Sequence, residues 1–395
     1  MLEPRHFWRD VGFNELSELY SAQLLRSLAI SLVGVFTPIY LYNIGYSLRD
    51  IALFMIGWML LRPFIDVAAA FVIARIGPKH TMLLSSFIHI MYLSMVLTIQ
   101  DLSWPLFLVA TVGSTAYSLH LLAIEVDFSK IKHARHGGEE FGYLVIVEKI
   151  GGVVGPLAGG LIASFVSPSY TIALAMLLLL LSSIPLFFTA EPVKTRQHIT
   201  FRGLPWRERR WDFISIVPTT LENIVSIVVW PLFIGIFILG DNVFAKLGAI
   251  VALSTLSSIV FSRVIGNLID KRKGRYLLRV GTVLNALLHL ARPFVGGVYG
   301  AALIHVANEP ITAAYRMPYI KGQFDVADSL KGYRIAYLSA LGVTDTLARL
   351  VFWVVVWCAM GMYQPKAVLM ATFLVAAAAS LLINTEHFEA LDYTK

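Results

Sequence analysis

The chain has 395 residues, of which 57% are hydrophobic and only 14% charged, with a net charge of +7. Soluble domains carry roughly 25% charged residues, so this composition excludes a water-soluble fold and points to the bilayer as solvent. The single cysteine, Cys358, excludes an intrachain disulfide and a cysteine metal cluster.

The first twenty residues, "MLEPRHFWRDVGFNELSELY", mix charges and lack a short apolar core with a cleavage site, so no cleavable signal peptide is expected. Stretches of about 20 mostly apolar residues, the length of a transmembrane helix, then recur. Twelve spans are expected, at 20–44, 51–74, 81–100, 105–126, 142–165, 170–190, 213–239, 247–269, 277–296, 298–318, 335–360 and 367–384. The longest polar connection, 191–212, divides the chain into six spans at 1–190 and six at 213–395. With the N-terminus inside, 23 of the 32 Lys and Arg fall in the inner connections and three, Arg49, Lys246 and Lys366, in the outer ones. That asymmetry is the positive-inside pattern and predicts a multi-pass protein of the plasma or inner membrane with both termini cytoplasmic. It also accounts for the net charge: no aromatic-interleaved basic groove suggests nucleic acid. One chain supplies all twelve spans, so a monomer is expected.

Span 5 contains "GYLVIVEKIGGVVGPLAGG" (142–160). Gly151, Gly155 and Gly159 recur every four residues, which leaves one helix face bare for close approach of another helix. Pro156 removes a backbone hydrogen bond and predicts a bend. An internal repeat is also visible. "AFVIARIGPKHTMLL" (70–84) and "GNLIDKRKGRYLL" (266–278) lie 196 residues apart, each with a small residue, four steps and a basic glycine-containing turn.

Twelve spans and this duplication resemble the major facilitator superfamily along essentially the whole chain. The resemblance implies an all-α polytopic protein built as two pseudo-symmetric six-helix bundles. Gly266, Asp270, Lys271, Arg272, Gly274 and Arg275 match the superfamily's signature between spans 8 and 9; in the first copy Ala70 and Ala74 replace the glycine and the acid. Gly142, Gly151, Gly155, Pro156, Gly159 and Gly160 are similar to the span 5 motif of the drug:proton antiporter families. That likeness implies export. Span 4 departs from those families by carrying no arginine; His120 is its one basic group before the inner end.

Ionisable residues inside spans are costly and mark functional candidates. They are Arg26, Arg62, Asp66, His120, Glu148, Lys149, Glu222, Arg263, His289, Arg292, His305, Glu309, Asp345 and Arg349. In the family's fold spans 1, 4, 7 and 10 line the central cavity, which implies a substrate or proton-coupling set of Arg26, Tyr117, His120, Glu222, Asn308 and Glu309. Arg26 and Glu222 are 196 apart and are expected to face one another. Glu222 and Glu309 are the expected proton carriers, and Glu309–Pro310 an expected helix break. Phe36, Tyr40 and Trp230 are candidates to stack on a ligand. His289, His305 and Arg292 read as structural.

Arg62–Asp66 on span 2 and Asp345–Arg349 on span 11 are each four apart. At 1.5 Å per residue Asp66 and Asp345 lie about 12 and 15 Å above their inner ends, and Glu148 and Arg263 both about 9 Å above theirs. The resemblance implies that spans 2 and 11, and 5 and 8, meet across the halves, so Arg62, Asp66, Glu148, Arg263, Asp345 and Arg349 are candidate latches between halves, with locally satisfied intrahelical pairs as the plain alternative. The expected function is a proton-coupled exporter of a small molecule, with the proton gradient as driving force and no cofactor or metal. An uptake symporter or facilitator for a sugar, peptide or metabolite, and a non-transporting sensor or assembly protein, are the alternatives. No phosphate-cradling loop, H-E-x-x-H or G-x-S-x-G motif suggests an enzyme.

Overall fold

The computed structural model describes residues 15–131, 137–188, 203–268, 274–330 and 333–388. In chain order the helices are α1 (Glu15–Val33), α2 (Thr37–Asn43), α3 (Leu48–Leu60), α4 (Arg62–Ile76), α5 (Pro78–Leu97), α6 (Ile99–Leu102), α7 (Leu106–Ile131), α8 (Gly137–Phe165) and α9 (Pro168–Ser182). After the polar connection come α10 (Arg210–Ile224), α11 (Trp230–Phe237), α12 (Val243–Leu268), α13 (Gly274–Ala291), α14 (Val298–Ser329), α15 (Arg334–Met360) and α16 (Pro365–Leu382). No strand occurs among the described residues. Ten segments among them are long and apolar enough to cross a membrane. The expected spans 9 and 10 correspond to α13 and α14, which fall outside those ten. The polar residues His289, His305, Asn308, Glu309 and Arg316 on these two helices dilute their hydropathy.

Prolines explain where the expected single spans break. Span 1 divides into α1 and α2, with Pro38 in the first turn of α2. Span 2 divides at Leu61, with Pro63 in the first turn of α4. A proline lacks the N–H and crowds the carbonyl four residues back, so a chain at that point must loosen or restart. Span 7 solves the same problem differently: residues Val225–Val229 form a π-helical turn immediately before Pro231. The wider turn accommodates the ring without ending the span. The expected break at Glu309–Pro310 is not found. Helix α14 runs unbroken from Val298 to Ser329 through both Pro310 and Pro318. Helix α8 is likewise continuous through Pro156.

Helices α1 to α9 pack mainly on one another, and so do α10 to α16. The two sets meet along α8 with α12 and along α3 with α15. Their meeting is uneven. Near Tyr42, one apolar core draws on both sets: Phe36, Ile39 and Phe54 from the first, Val229, Phe233 and Trp353 from the second. Near Ile76, each set has a core of its own. Leu19, Ile73, Met82 and Ile124 form one, and Leu278, Tyr315, Tyr337 and Phe388 the other. Helix α3 packs along α15, whereas its continuation α4 barely touches it. The sets are therefore joined at the Tyr42 end and parted toward the Ile76 end.

The glycines of α8 create the join. A Cβ added at Gly151, Gly155 or Gly159 would collide with Ser27, Ser31 or Leu32 of α1. One added at Gly160 would strike the Phe244 backbone, and Gly248 of α12 sits equally tight on Pro156. Two faces of one helix are thus shaved, one toward its own set and one toward the other. The seal is completed by Phe36, edge-on to Phe244 at 5.7 Å, and by the Ala245 N–H, which donates to Ser164 Oγ at 2.8 Å.

Candidate functional site

Glu222 sits near the C-terminal end of α10 and is fully buried. Its carboxylate accepts from Ser226 Oγ at 2.6 Å, from His289 Nε2 at 3.3 Å and from the Tyr315 hydroxyl. Arg292, in the turn after α13, donates to His289 Nδ1 at 2.9 Å and to Asn308 Oδ1 at 2.8 Å. A guanidinium can only donate, so His289 Nδ1 is the acceptor and its Nε2 carries the proton that reaches Glu222. Trp230 covers the Arg292 guanidinium at 5.2 Å from its ring centroid. Gly281 makes this possible: a Cβ there would press on the Tyr315 backbone, so its absence lets α13 and α14 close on each other. The result is an acid, a histidine and an arginine in one buried row within the second set.

Arg26 does not face Glu222, contrary to the expectation. It is 98% removed from solvent and donates from Nη1 to Ser86 Oγ on α5 at 3.1 Å. Both pseudo-equivalent residues look into their own set of helices. The rotation of α1 and α10 about their axes decides this, and spacing along the chain carries no information on it. Beside Arg26 lie His89 and His120. His120 pairs through Nε2 with Gln23 Oε1 at 3.0 Å, and Gln23 donates to Glu148 Oε1 at 2.7 Å. Tyr117 is turned away, stacked on Arg62 at 4.9 Å.

Five of the six candidate latches are held within their own sets in this conformation. Arg62 pairs with Asp66 at 3.8 Å and Arg349 with Asp345 at 2.8 Å, each within one helix. Asp345 also accepts from Thr220 at 2.6 Å, and Arg349 reaches Asn223 at 3.0 Å. Arg62 acts on Asp345 across the gap through its field, without an ion pair among the described contacts. Glu148 accepts from Gln23 Nε2 of its own set. The side chains of Arg263 and Gly266, the surroundings of Gly142, and residues Asp270, Lys271 and Arg272 lie outside the described residues.

A charged side chain that does reach across between sets is Lys149, Glu148's neighbour. Its Nζ donates to Ser258 Oγ of α12 at 2.7 Å. Glu309 of α14 lies near enough to Ser258 and Lys149 for both to act on its carboxylate. Adjacent helical residues point about 100° apart. Glu148 therefore serves α1 while Lys149 serves α12, and the charge beside the glycines carries the signal that sequence spacing missed. Of the expected aromatics, Phe36 and Trp230 are packed in the core, and Tyr40 lines a small apolar pocket with Leu32, Phe36 and Phe244.

Gly274 and Arg275, the described part of the second basic turn, open α13. Arg275 Nη1 binds Glu386 Oε1 at 2.7 Å and its Nη2 donates to the Phe388 carbonyl at 3.0 Å. Phe388 is fully buried against Tyr319. Arg275→Ala should remove the guanidinium from the buried Glu386 carboxylate, which keeps the Phe388 N–H at 2.7 Å, and cost about 1–3 kcal/mol. Limited proteolysis should then clip the segment after Thr385 in the variant but not in the wild type.

A polytopic helical protein with buried charge clusters in each set, and sets joined at one end only, has the build of a membrane transporter. The sequence pattern of the Major Facilitator Superfamily matches residues 19–320. The chain belongs to that superfamily, which makes it a multi-pass membrane transporter rather than an enzyme. No curated protein matches it in sequence. Among solved structures, the nucleoside transporter NupG is similar with a TM-score of 0.69 at 15% identity, over 97% of this chain and 100% of that one. A POT family transporter in complex with 5-aminolevulinic acid is similar with a TM-score of 0.73 at 12% identity, over 95% and 96%. A bacterial homologue of the iron transporter ferroportin, in an inward-facing state, is similar with a TM-score of 0.70 at 14% identity, over 94% and 97%. At these identities the likeness concerns the fold.

Proposed function

We propose that the chain is a secondary active transporter that exports a small molecule in exchange for protons. Its two six-helix bundles, 1–190 and 213–395 about the 191–212 connection, rock to expose a midplane site to either side in turn. Twelve spans with both termini cytoplasmic, in a plasma or inner membrane, complete this reading. The observation that carries it is the Lys149–Ser258 hydrogen bond, which ties the sets together beside the glycine seam with the Glu309 carboxylate in reach of the Lys149 charge. Protonating Glu309 removes the negative charge that holds Lys149 near α14, and so weakens the contact that keeps α8 on α12. Deprotonation restores it. Glu222, saturated by three donors, reads as the fixed charge that balances Arg292 and is the weaker carrier. The span 5 glycine motif supports export over uptake, although its glycines already have a packing role.

Flux in proteoliposomes tests this. Cationic dyes, neutral metabolites and carboxylates are loaded, a pH gradient of either sign is imposed, and wild type is compared with Glu309→Gln and Glu222→Gln. Movement of a compound against the proton flow, reduced at least about tenfold in Glu309→Gln, is the expected result. Flux that ignores the gradient in wild type and in both variants would mean a facilitator whose acids are structural.

A further inference from the structure

Each set of helices buries a guanidinium, and the two are treated differently. Arg292 has an acid in its network: Glu222 lies one histidine away, and Ser226 and Asn308 take further donors. Arg26 has Ser86 alone, while its Nε and Nη2 have no hydrogen-bond partner. His89 and His120 lie in its neighbourhood, and each leaves Nδ1 without a hydrogen-bond partner as well. On α7, two turns leading up to His120, Ser114 and Ser118 are buried with hydroxyls that meet no acceptor. No carboxylate pairs with Arg26 among the described ion pairs.

An arginine stays protonated in a protein, and an isolated buried ion costs several kcal/mol even after relaxation. Water filling the space would satisfy N–H groups but would leave the charge uncompensated. The repeat sharpens the contrast. Arg26 occupies the position in the first half that Glu222 occupies in the second, 196 residues on, so the first half has a cation where the second has an acid. We propose that Arg26, with Ser86, His89 and His120, forms a binding site for a small monovalent anion, the charge that no described residue of this set supplies as an ion pair. His120 is half-buried and hydrogen-bonded through Gln23 to the exposed Glu148, so the site opens on that side.

The anion has two possible sources with one chemistry: a free inorganic ion such as chloride, or the carboxylate of a transported molecule. The second rests on the transporter reading above; the first does not. Full-length protein in lipid nanodiscs is dialysed against labelled chloride in chloride-free zwitterionic buffer at fixed pH, with acetate as competitor and no gradient. Wild type should bind one chloride per chain. Arg26→Gln should weaken binding at least about tenfold, and Arg26→Lys, which keeps the charge, should bind more tightly than the glutamine variant. Added chloride should also raise the thermal midpoint of wild type, by mass action, and leave that of Arg26→Gln unmoved. Acetate that displaces chloride, together with carboxylate counterflow in proteoliposomes, assigns the site to substrate; chloride binding without either assigns it to an inorganic ion. No saturable binding of chloride or acetate by wild type, or equal binding by wild type and Arg26→Gln, overturns the proposal. Because binding is read without a gradient, failure of proton coupling leaves this result intact, and the converse holds.

Discussion

Replacing Glu222 by leucine is expected to destabilise the protein by about 3–5 kcal/mol, the cost of leaving a buried charge without its partner. The change removes the acceptor of three hydrogen bonds, from Ser226, His289 and Tyr315, and leaves Arg292 buried with no acid in its network. Arg292→Met should cost a similar amount for the reciprocal reason. The double variant Glu222→Leu with Arg292→Met should lose far less than the two losses added, since a well-packed apolar pair of similar volume often stands in for a buried ion pair without net cost. Denaturant unfolding of the four proteins in detergent gives the coupling directly. Additive losses would show that the two charges do not act on one another. A double variant that regains stability yet stays inactive would show that the row serves transport as well as folding.

The second large effect concerns the seam. Gly160→Val places a branched side chain where a Cβ alone would already strike the Phe244 backbone of α12. Overpacking at such a contact costs about 1–3 kcal/mol, and the helices relieve it by moving apart. Because α12 belongs to the other set, the relief is a parting of the sets at the Tyr42 end. Transport should fall at least about tenfold while each set keeps its own packing. Gly159→Val meets the Leu32 backbone of α1 instead, within the first set. It should lower the unfolding midpoint, with transport falling only in proportion to folded protein. The pair of variants, one residue apart on one helix, separates closure from stability. Equal effects of both on midpoint and flux would contradict that assignment.

Much of the architecture is legible in the sequence because the bilayer imposes it. Apolar runs of span length and the polar, basic connections between them place the helices, and the 196-residue spacing names the residues to compare. What spacing omits is rotation. The 196-residue spacing pairs Arg26 with Glu222, yet each turns into its own set. Glu148 and Lys149 are neighbours, yet one serves α1 and the other α12. The π-helical turn at Val225–Val229 adds a further shift directly after Glu222 that no fixed helical period anticipates. His289 and Arg292, read from sequence as structural, lie three apart on one helical face, and that spacing was the available sign that they act together on a third group. The Glu309–Pro310 break failed for a simpler reason. A proline removes one hydrogen bond, and packing of α14 on α12 and α13 keeps the helix whole regardless.

The central claim is that the two sets move against each other, joined in turn at the Tyr42 end and at the Ile76 end. Pulsed spin-label distances in nanodiscs test it most directly. One labelled pair, Tyr42 with Met362, reports the end joined here, and a second, Ile76 with Tyr276, reports the end parted here; all four residues are exposed. Rocking predicts two populations in each pair with opposed weights: a short Tyr42–Met362 distance accompanies a long Ile76–Tyr276 distance, and the reverse. Gly160→Val should deplete the population with the short Tyr42–Met362 distance. A single distance at both ends, unchanged between pH 5 and pH 8 and by Gly160→Val, would contradict the account.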